Sequence, residues 1–169
     1  MKKVFVIFLA LIIGLSMSAQ IQNKFLGFTL GSSTKSQVYN KYKNEKVFSV
    51  DEIGNIYVGD LVFAGQKWDI TTFYFYKDKL ESIQFCDIET STPRYLMQSI
   101  WKGLKTSLWD KYSDYFIENS QSEFIHYSDG ITDLVLSYLN YSPDEKGLAL
   151  RYYNHALRVI RMQAEEDDL

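Results

Sequence analysis

Between Asp69 and Phe85 the chain alternates residue by residue, DITTFYFY-KDK-LESIQF. Side chains on a β-strand point to opposite faces with a period of two. A helix would scatter these residues around its surface, so the segment predicts a hairpin with Lys77-Asp78-Lys79 as its loop. In that register Phe73 faces Ile83 and Thr71 faces Phe85, with Phe75 on the same side. The other side carries Thr72, Tyr74, Tyr76, Ser82 and Gln84. One face is apolar, the other polar and rich in tyrosine. Such a hairpin needs an antiparallel sheet with only one face against a core.

The rest of the chain must supply that core and the remaining strands. Thr34-Lys35-Ser36-Gln37 fits a capping box, in which Thr34 and Gln37 satisfy each other's backbone N–H groups. Val38 and Tyr42 then share a helical face, and the helix is expected to end near Lys43 or Asn44. Asn55 to Phe63 is β-rich and broken by Gly59-Asp60. A second helix is predicted from Thr92, the N-cap, with Pro93 in the first turn. Met97, Ile100, Trp101, Leu104 and Leu108 follow helical spacing, and Leu96, Trp109 and Tyr112 widen the stripe. Strands return at Phe124–Tyr127, Asp133–Tyr141 and Leu148–Asn154, separated by the turns Ser128-Asp129-Gly130 and 142–147. His155 to Ala164 reads as a short last helix.

The element order is helix, strands, helix, strands. It predicts an α+β fold of two tandem helix-then-antiparallel-strands units, 20–88 and 89–169, forming one compact domain with helices on one face of a sheet. A single α+β domain without internal symmetry is the alternative. The order resembles the beta-lactamase-inhibitor-protein-like fold. The segment 30–38, LGSSTKSQV, also resembles the start of related small outer-membrane assembly lipoproteins, where a glycine precedes a capped helix with a Gln-Val pair. Two features depart from those lipoproteins. They carry a lipid-bearing cysteine that this chain lacks, and their Gly-x-Pro turn is replaced by Asn44-Glu45-Lys46. The chain is also similar to small exported proteins of gut Bacteroidetes. The fold resemblance implies one further role, inhibition of a secreted enzyme through loops on the sheet.

The first residues carry a different signal. Lys2 and Lys3 precede the apolar run Val4–Leu15, and Ser16-Met17-Ser18-Ala19 supplies small residues. This is the pattern of a cleavable secretory signal peptide over 1–19, cut after Ala19 or after Ser18. The run is short of the roughly 20 apolar residues that a spanning helix needs. The mature protein is therefore expected to be periplasmic or secreted, with no membrane span and no lipid anchor. Loss of Lys2 and Lys3 with the leader takes the net charge from −3 to −5. No basic stripe remains for nucleic acid. Cys86, the only cysteine, follows Ile83 and Phe85 in the predicted hairpin and reads as a buried small hydrophobe.

Catalytic motifs are not found. No Gly-x-Ser-x-Gly elbow occurs, and no His, Cys, Asp or Glu cluster has metal-ligand spacing. No cofactor is expected. His126 and His155 lie at strand ends and could meet, with Asp129 the residue to join them. Gly31-Ser32-Ser33 suits capping better than anion binding, and Glu165 to Asp168 reads as a solvated tail. The expectation is a non-enzymatic binding or protein-interaction module for an unknown protein or small ligand. Its candidate surface is Thr72, Tyr74, Tyr76 and Gln84, joined by Tyr138 and Tyr152 or Tyr153. Packing of these tyrosines inside the sheet or core is the competing reading. A small exported hydrolase built on His126, His155 or a carboxylate pair is the rival function.

Overall fold

The computed structural model describes residues 20–88, 93–118, 124–142 and 145–167. The leader, Thr92 and Asp168 lie outside the described residues. The chain opens with a small hairpin, β1 (Lys24–Phe25) and β2 (Phe28–Thr29), followed by helix α1 (Lys35–Tyr42). Strands β3 (Phe48–Val50) and β4 (Ile56–Gly59) come next. A second small hairpin is β5 (Val62–Phe63) and β6 (Gln66–Lys67), and the long hairpin is β7 (Ile70–Tyr76) and β8 (Lys79–Ile88). Helix α2 (Arg94–Tyr112) leads through a 3-10 turn at Ser113–Tyr115 into β9 (Phe116–Ile117), β10 (Phe124–Ser128), β11 (Thr132–Ser142) and β12 (Glu145–Asn154). Helix α3 (His155–Asp167) follows β12 directly. Eight strands form one antiparallel sheet in the order β3-β4-β7-β8-β12-β11-β10-β9, so the fold is α+β.

The long hairpin has the expected pairs Phe73↔Ile83 and Thr71↔Phe85. Its turn is tighter than a three-residue loop. Tyr76 pairs with Lys79, and Lys77 and Asp78 both take positive φ, 46° and 63°. That is the backbone of a two-residue turn matching the right-handed strand twist. The extra residue is absorbed by a bulge where Tyr74 meets Ser82 but Phe75 meets Leu80. Glu81 is the residue left over, and a bulge is a place where a side chain is re-aimed.

Helices α1 and α2 cover one face. Val38 and Tyr42 of α1, and Met97, Leu108 and Tyr112 of α2, are buried with Phe73, Ile83, Phe85, Leu134, Leu136, Leu148 and Leu150. Tyr42 and Phe73 rings lie 5.5 Å apart and Trp101 meets Tyr138 edge-on at 6.2 Å. Each buried Leu, Phe or Met side chain contributes roughly 1.5–3 kcal/mol. Helix α2 starts at Arg94 with Pro93 at its N-cap position and no side-chain cap, one residue later than Pro93's expected place inside the helix. Cys86 is buried, with its thiol donating toward the Asp87 carbonyl at 3.9 Å.

The expectation of helices on one face only is corrected by α3. Its charged residues meet Asp133 and Glu81, and Arg158 stacks on Tyr153. Asp133 and Tyr153 pair with each other between Leu134/Tyr152 and Thr132/Asn154, so they point away from the α1–α2 face. The reversal begins at Asn154, whose side chain accepts the N–H of Leu157 at 2.9 Å as an N-cap. Glu165 is also more than a tail residue, since it pairs with Arg161 at 2.7 Å.

The capping box of α1 is complete. Gln37 N–H donates to Thr34 Oγ1 at 3.4 Å and Thr34 N–H donates to Gln37 Oε1 at 2.8 Å. Replacing Thr34 by alanine is expected to cost about 1 kcal/mol in urea unfolding. A cost near zero would mean that the backbone bridge from Thr34 to Lys79 holds the helix start unaided.

Candidate functional site

Residues opposite one another in a ladder share a sheet face. Tyr74↔Ser82, Ser82↔Tyr153, Tyr153↔Asp133 and Asp133↔Ser128 therefore form one row across β7, β8, β12, β11 and β10. The row beside it holds Tyr57, Thr72, Gln84, Arg151, Val135 and His126. Both rows lie on the face away from α1 and α2.

Arg151 is the centre of the β7–β12 part. Its guanidinium carbon sits 4.0 Å from the Tyr74 ring centroid and 4.5 Å from that of Tyr153. Its Nε and Nη2 both donate to Ser82 Oγ, at 3.2 and 2.9 Å. Arg158 of α3 stacks on the same Tyr153 ring at 4.5 Å. Such stacking uses the flat guanidinium and the negative ring face, and contributes about 0.5–2 kcal/mol per contact. Beyond Tyr74, the Tyr57 hydroxyl donates to Asp51 at 2.9 Å. Burial and the Asp51 carboxylate push the Tyr57 hydroxyl pKa up.

Asp133 is the centre of the β10–α3 part, and only 3% of it is exposed. Its carboxylate accepts from Ser128 Oγ at 2.6 Å, contacts His155 Nδ1 at 3.0 Å and accepts from Arg158 at 3.2 Å. His126 Nε2 stands 3.8 Å away, outside hydrogen-bond distance, and has no hydrogen-bond partner among the described residues. Burial alone would raise the Asp133 pKa. The adjacent His126, the bonds from Ser128 and His155 and the His155 charge outweigh burial and hold the carboxyl well below the usual range. A cavity of about 330 Å³ adjoins the cluster, with Ile117, Val159 and Met162 completing its wall.

No protein-family model, curated protein or solved structure matches this chain. The site must therefore be judged on its own geometry. Among the described residues, no group of three or more His, Cys, Asp or Glu side chains is placed to hold a metal ion.

The predicted surface residues separate into two groups. Thr72, Tyr74 and Gln84 lie on the face of Arg151, with Thr72 buried and Tyr74 and Gln84 half-buried. Tyr76 is half-buried beside the turn, with the Lys77 ammonium over its ring at 5.2 Å. Tyr138 and Tyr152 point the other way. Tyr152 is 4% exposed and touches Phe25 at 4.2 Å between ring centroids, and Tyr138 meets Trp101 of α2. Strand alternation puts Tyr153, not Tyr152, on the Arg151 face. His126 and His155 do meet, around Asp133 rather than Asp129. Asp129 instead accepts the N–H groups of Ile131 and Thr132 and that of Ile21, holding its own turn and the start of the described chain. Sequence singles out neither Arg151 nor Arg158, and it places Ser82 on this face without making it a candidate site residue. The signal available for Arg151 was its place between Ala149 and Tyr153, in a strand whose other face is Leu148, Leu150 and Tyr152.

Proposed function

We infer that this protein is an exported, non-enzymatic interaction module that binds a partner through the sheet face carrying Tyr74, Arg151 and Tyr153. The observation that supports it most is the stacked, half-buried Tyr74–Arg151–Tyr153 array. Rigid aromatics and a held arginine lose little conformational freedom on contact, and Tyr and Arg dominate interface energetics. Export rests on the leader pattern of Lys2, Lys3 and Val4–Leu15. We further read the domain as two tandem units of the beta-lactamase-inhibitor-protein-like kind. Outward from the central β8–β12 pair, each half of the sheet meets its strands in reverse chain order, and one helix precedes each set.

The hydrolase reading draws on His155, oriented by a buried carboxylate beside a cavity. A serine hydrolase needs its hydroxyl on the histidine. Here Ser128 Oγ donates to Asp133 itself, so the arrangement holds α3 and does not activate a nucleophile.

The double variant Tyr74→Ser/Tyr76→Ser tests the binding reading. It is expected to stay folded, with a loss of about 1–2 kcal/mol. Side-by-side capture from the native envelope, quantified by mass spectrometry, should show proteins retained by wild type and lost by the variant. Identical capture by a folded variant overturns the reading.

A further inference from the structure

We propose that Arg151 is a carboxylate-recognition site, and that its occupant is an acidic side chain on the surface of a partner protein. This deepens the interaction reading above and rests on it. The neighbouring arginines Arg158 and Arg161 are each matched to a carboxylate, Asp133 and Glu81. Arg151 is not. Among the described residues its only polar partner is the neutral Ser82 hydroxyl, which takes Nε and Nη2 and leaves Nη1 without a partner. A half-buried cation without a counter-ion among the described residues, in a chain whose net charge is −3, is a place where negative charge is missing.

The stack decides what kind of anion fits. The Tyr74 and Tyr153 rings lie 4.0 and 4.5 Å from the guanidinium carbon and restrain the group, while Ser82 takes Nε and Nη2 and leaves Nη1 for a ligand. A planar fork held in advance matches a planar carboxylate and loses little entropy on binding. The breadth of the face decides the source. Tyr57, Tyr74 and Arg151 lie on β4, β7 and β12, three strand steps apart or roughly 14 Å. That is the scale of a protein contact, with Arg151 as the charged anchor and Tyr57 and Tyr74 extending the contact to one side.

Titration of the purified full chain with a capped tetraglutamate peptide tests the proposal, followed through the arginine side-chain N–H signals by NMR. The matched tetraglutamine peptide and inorganic phosphate are the comparisons. Saturable binding of tetraglutamate at the Arg151 signal is expected. Arg151→Lys keeps the charge but loses the fork, and should weaken binding roughly tenfold to a hundredfold. Tyr74→Leu keeps the arginine but removes half the stack, and should weaken it less. Equal binding of tetraglutamine, unchanged affinity in Arg151→Lys, or binding of phosphate without tetraglutamate would each overturn the carboxylate assignment. The two readings fail separately. If Tyr74→Ser/Tyr76→Ser loses its captured partner but tetraglutamate does not bind, this inference fails and the interaction reading stands. If tetraglutamate binds at Arg151 while capture is unaffected by the double variant, the interaction reading fails.

Discussion

Replacing Asp133 by asparagine is expected to destabilise the protein by about 3 kcal/mol and to loosen α3 before the rest of the fold. The carboxylate accepts from Ser128, His155 and Arg158 within one small volume. An asparagine of the same shape would turn an N–H₂ group toward these donors. Removing one member of a buried charged group costs about 3–5 kcal/mol. The lower end applies here, because the His155 and Arg158 side chains are 42% and 27% exposed and partly screened by water. None of the described side chains of α3 is fully buried, so its attachment relies on Asp133 and on the Glu81–Arg161 pair. Amide hydrogen exchange should therefore show α3 losing protection ahead of α2. Uniform loss, or no loss, would show that apolar contact from Val159 and Met162 is enough to hold the helix.

The same substitution has a pH signature. The folded state holds the Asp133 carboxyl below its ordinary range despite burial. A carboxyl lowered on folding adds stability that is complete above its unfolded pKa of about 3.9 and is lost as pH falls through the folded value. Asp87 works in the opposite direction. Burial, reinforced by the charge of Asp69, pushes its carboxyl up, so its cost to stability is relieved as pH falls through its folded value. Subtracting the Asp133→Asn curve from wild type cancels the Asp87 part. The difference should shrink toward zero as pH falls below about 4. A difference that grows in acid would contradict the assigned direction.

Alternation made one half of this site readable and hid the other. Tyr74 and Gln84 could be placed on the face opposite Phe73 and Ile83 because the hairpin states its own register. Tyr152 and Tyr153 differ by one step, and one step exchanges faces, so only the alternation of Leu148 and Leu150 with Arg151 tells them apart, placing Tyr152 with the leucines and Tyr153 with Arg151. The bulge at Glu81 was also hidden, because LES reads as unbroken strand. Yet the bulge is where a buried carboxylate receives Arg161. His126 and His155 could be suspected of meeting because both lie near strand ends. Their shared partner depends on the β10–β11–β12 register, which selects Asp133 and leaves Asp129 in the turn. The apolar residues of helix α3, Leu157, Val159, Ile160 and Met162, do not by themselves say which face of the sheet it covers. Its placement follows from charge pairs formed with residues as far as 80 positions away.

Trp68 is the residue whose loss is expected to cost most, about 3–5 kcal/mol for Trp68→Ala. It follows β6 at a point where neither helical nor strand periodicity marks it as core, yet it is fully buried. Its backbone N–H donates to Leu61 at 2.9 Å and its indole N–H to the Phe63 carbonyl at 3.1 Å, closing the β5–β6 hairpin from inside. The ring lies 5.8 Å from Phe85, which stacks on Phe63 at 4.3 Å with 8° between planes. Phe63 in turn meets Phe25 and Tyr152, so one indole supports an aromatic cluster joining both small hairpins to the sheet. Alanine would remove the ring and leave the Phe63 carbonyl without its donor. Phenylalanine separates the two effects, since it restores most apolar contact but not the N–H. Trp68→Phe is expected to cost about 1–3 kcal/mol, from the lost hydrogen bond to the half-buried Phe63 and imperfect packing. Urea unfolding of both variants checks the order. Equal costs would mean that the hydrogen bond, not the ring, holds the hairpin. A cost below about 0.5 kcal/mol for alanine would mean that Trp68 is not part of the core at all.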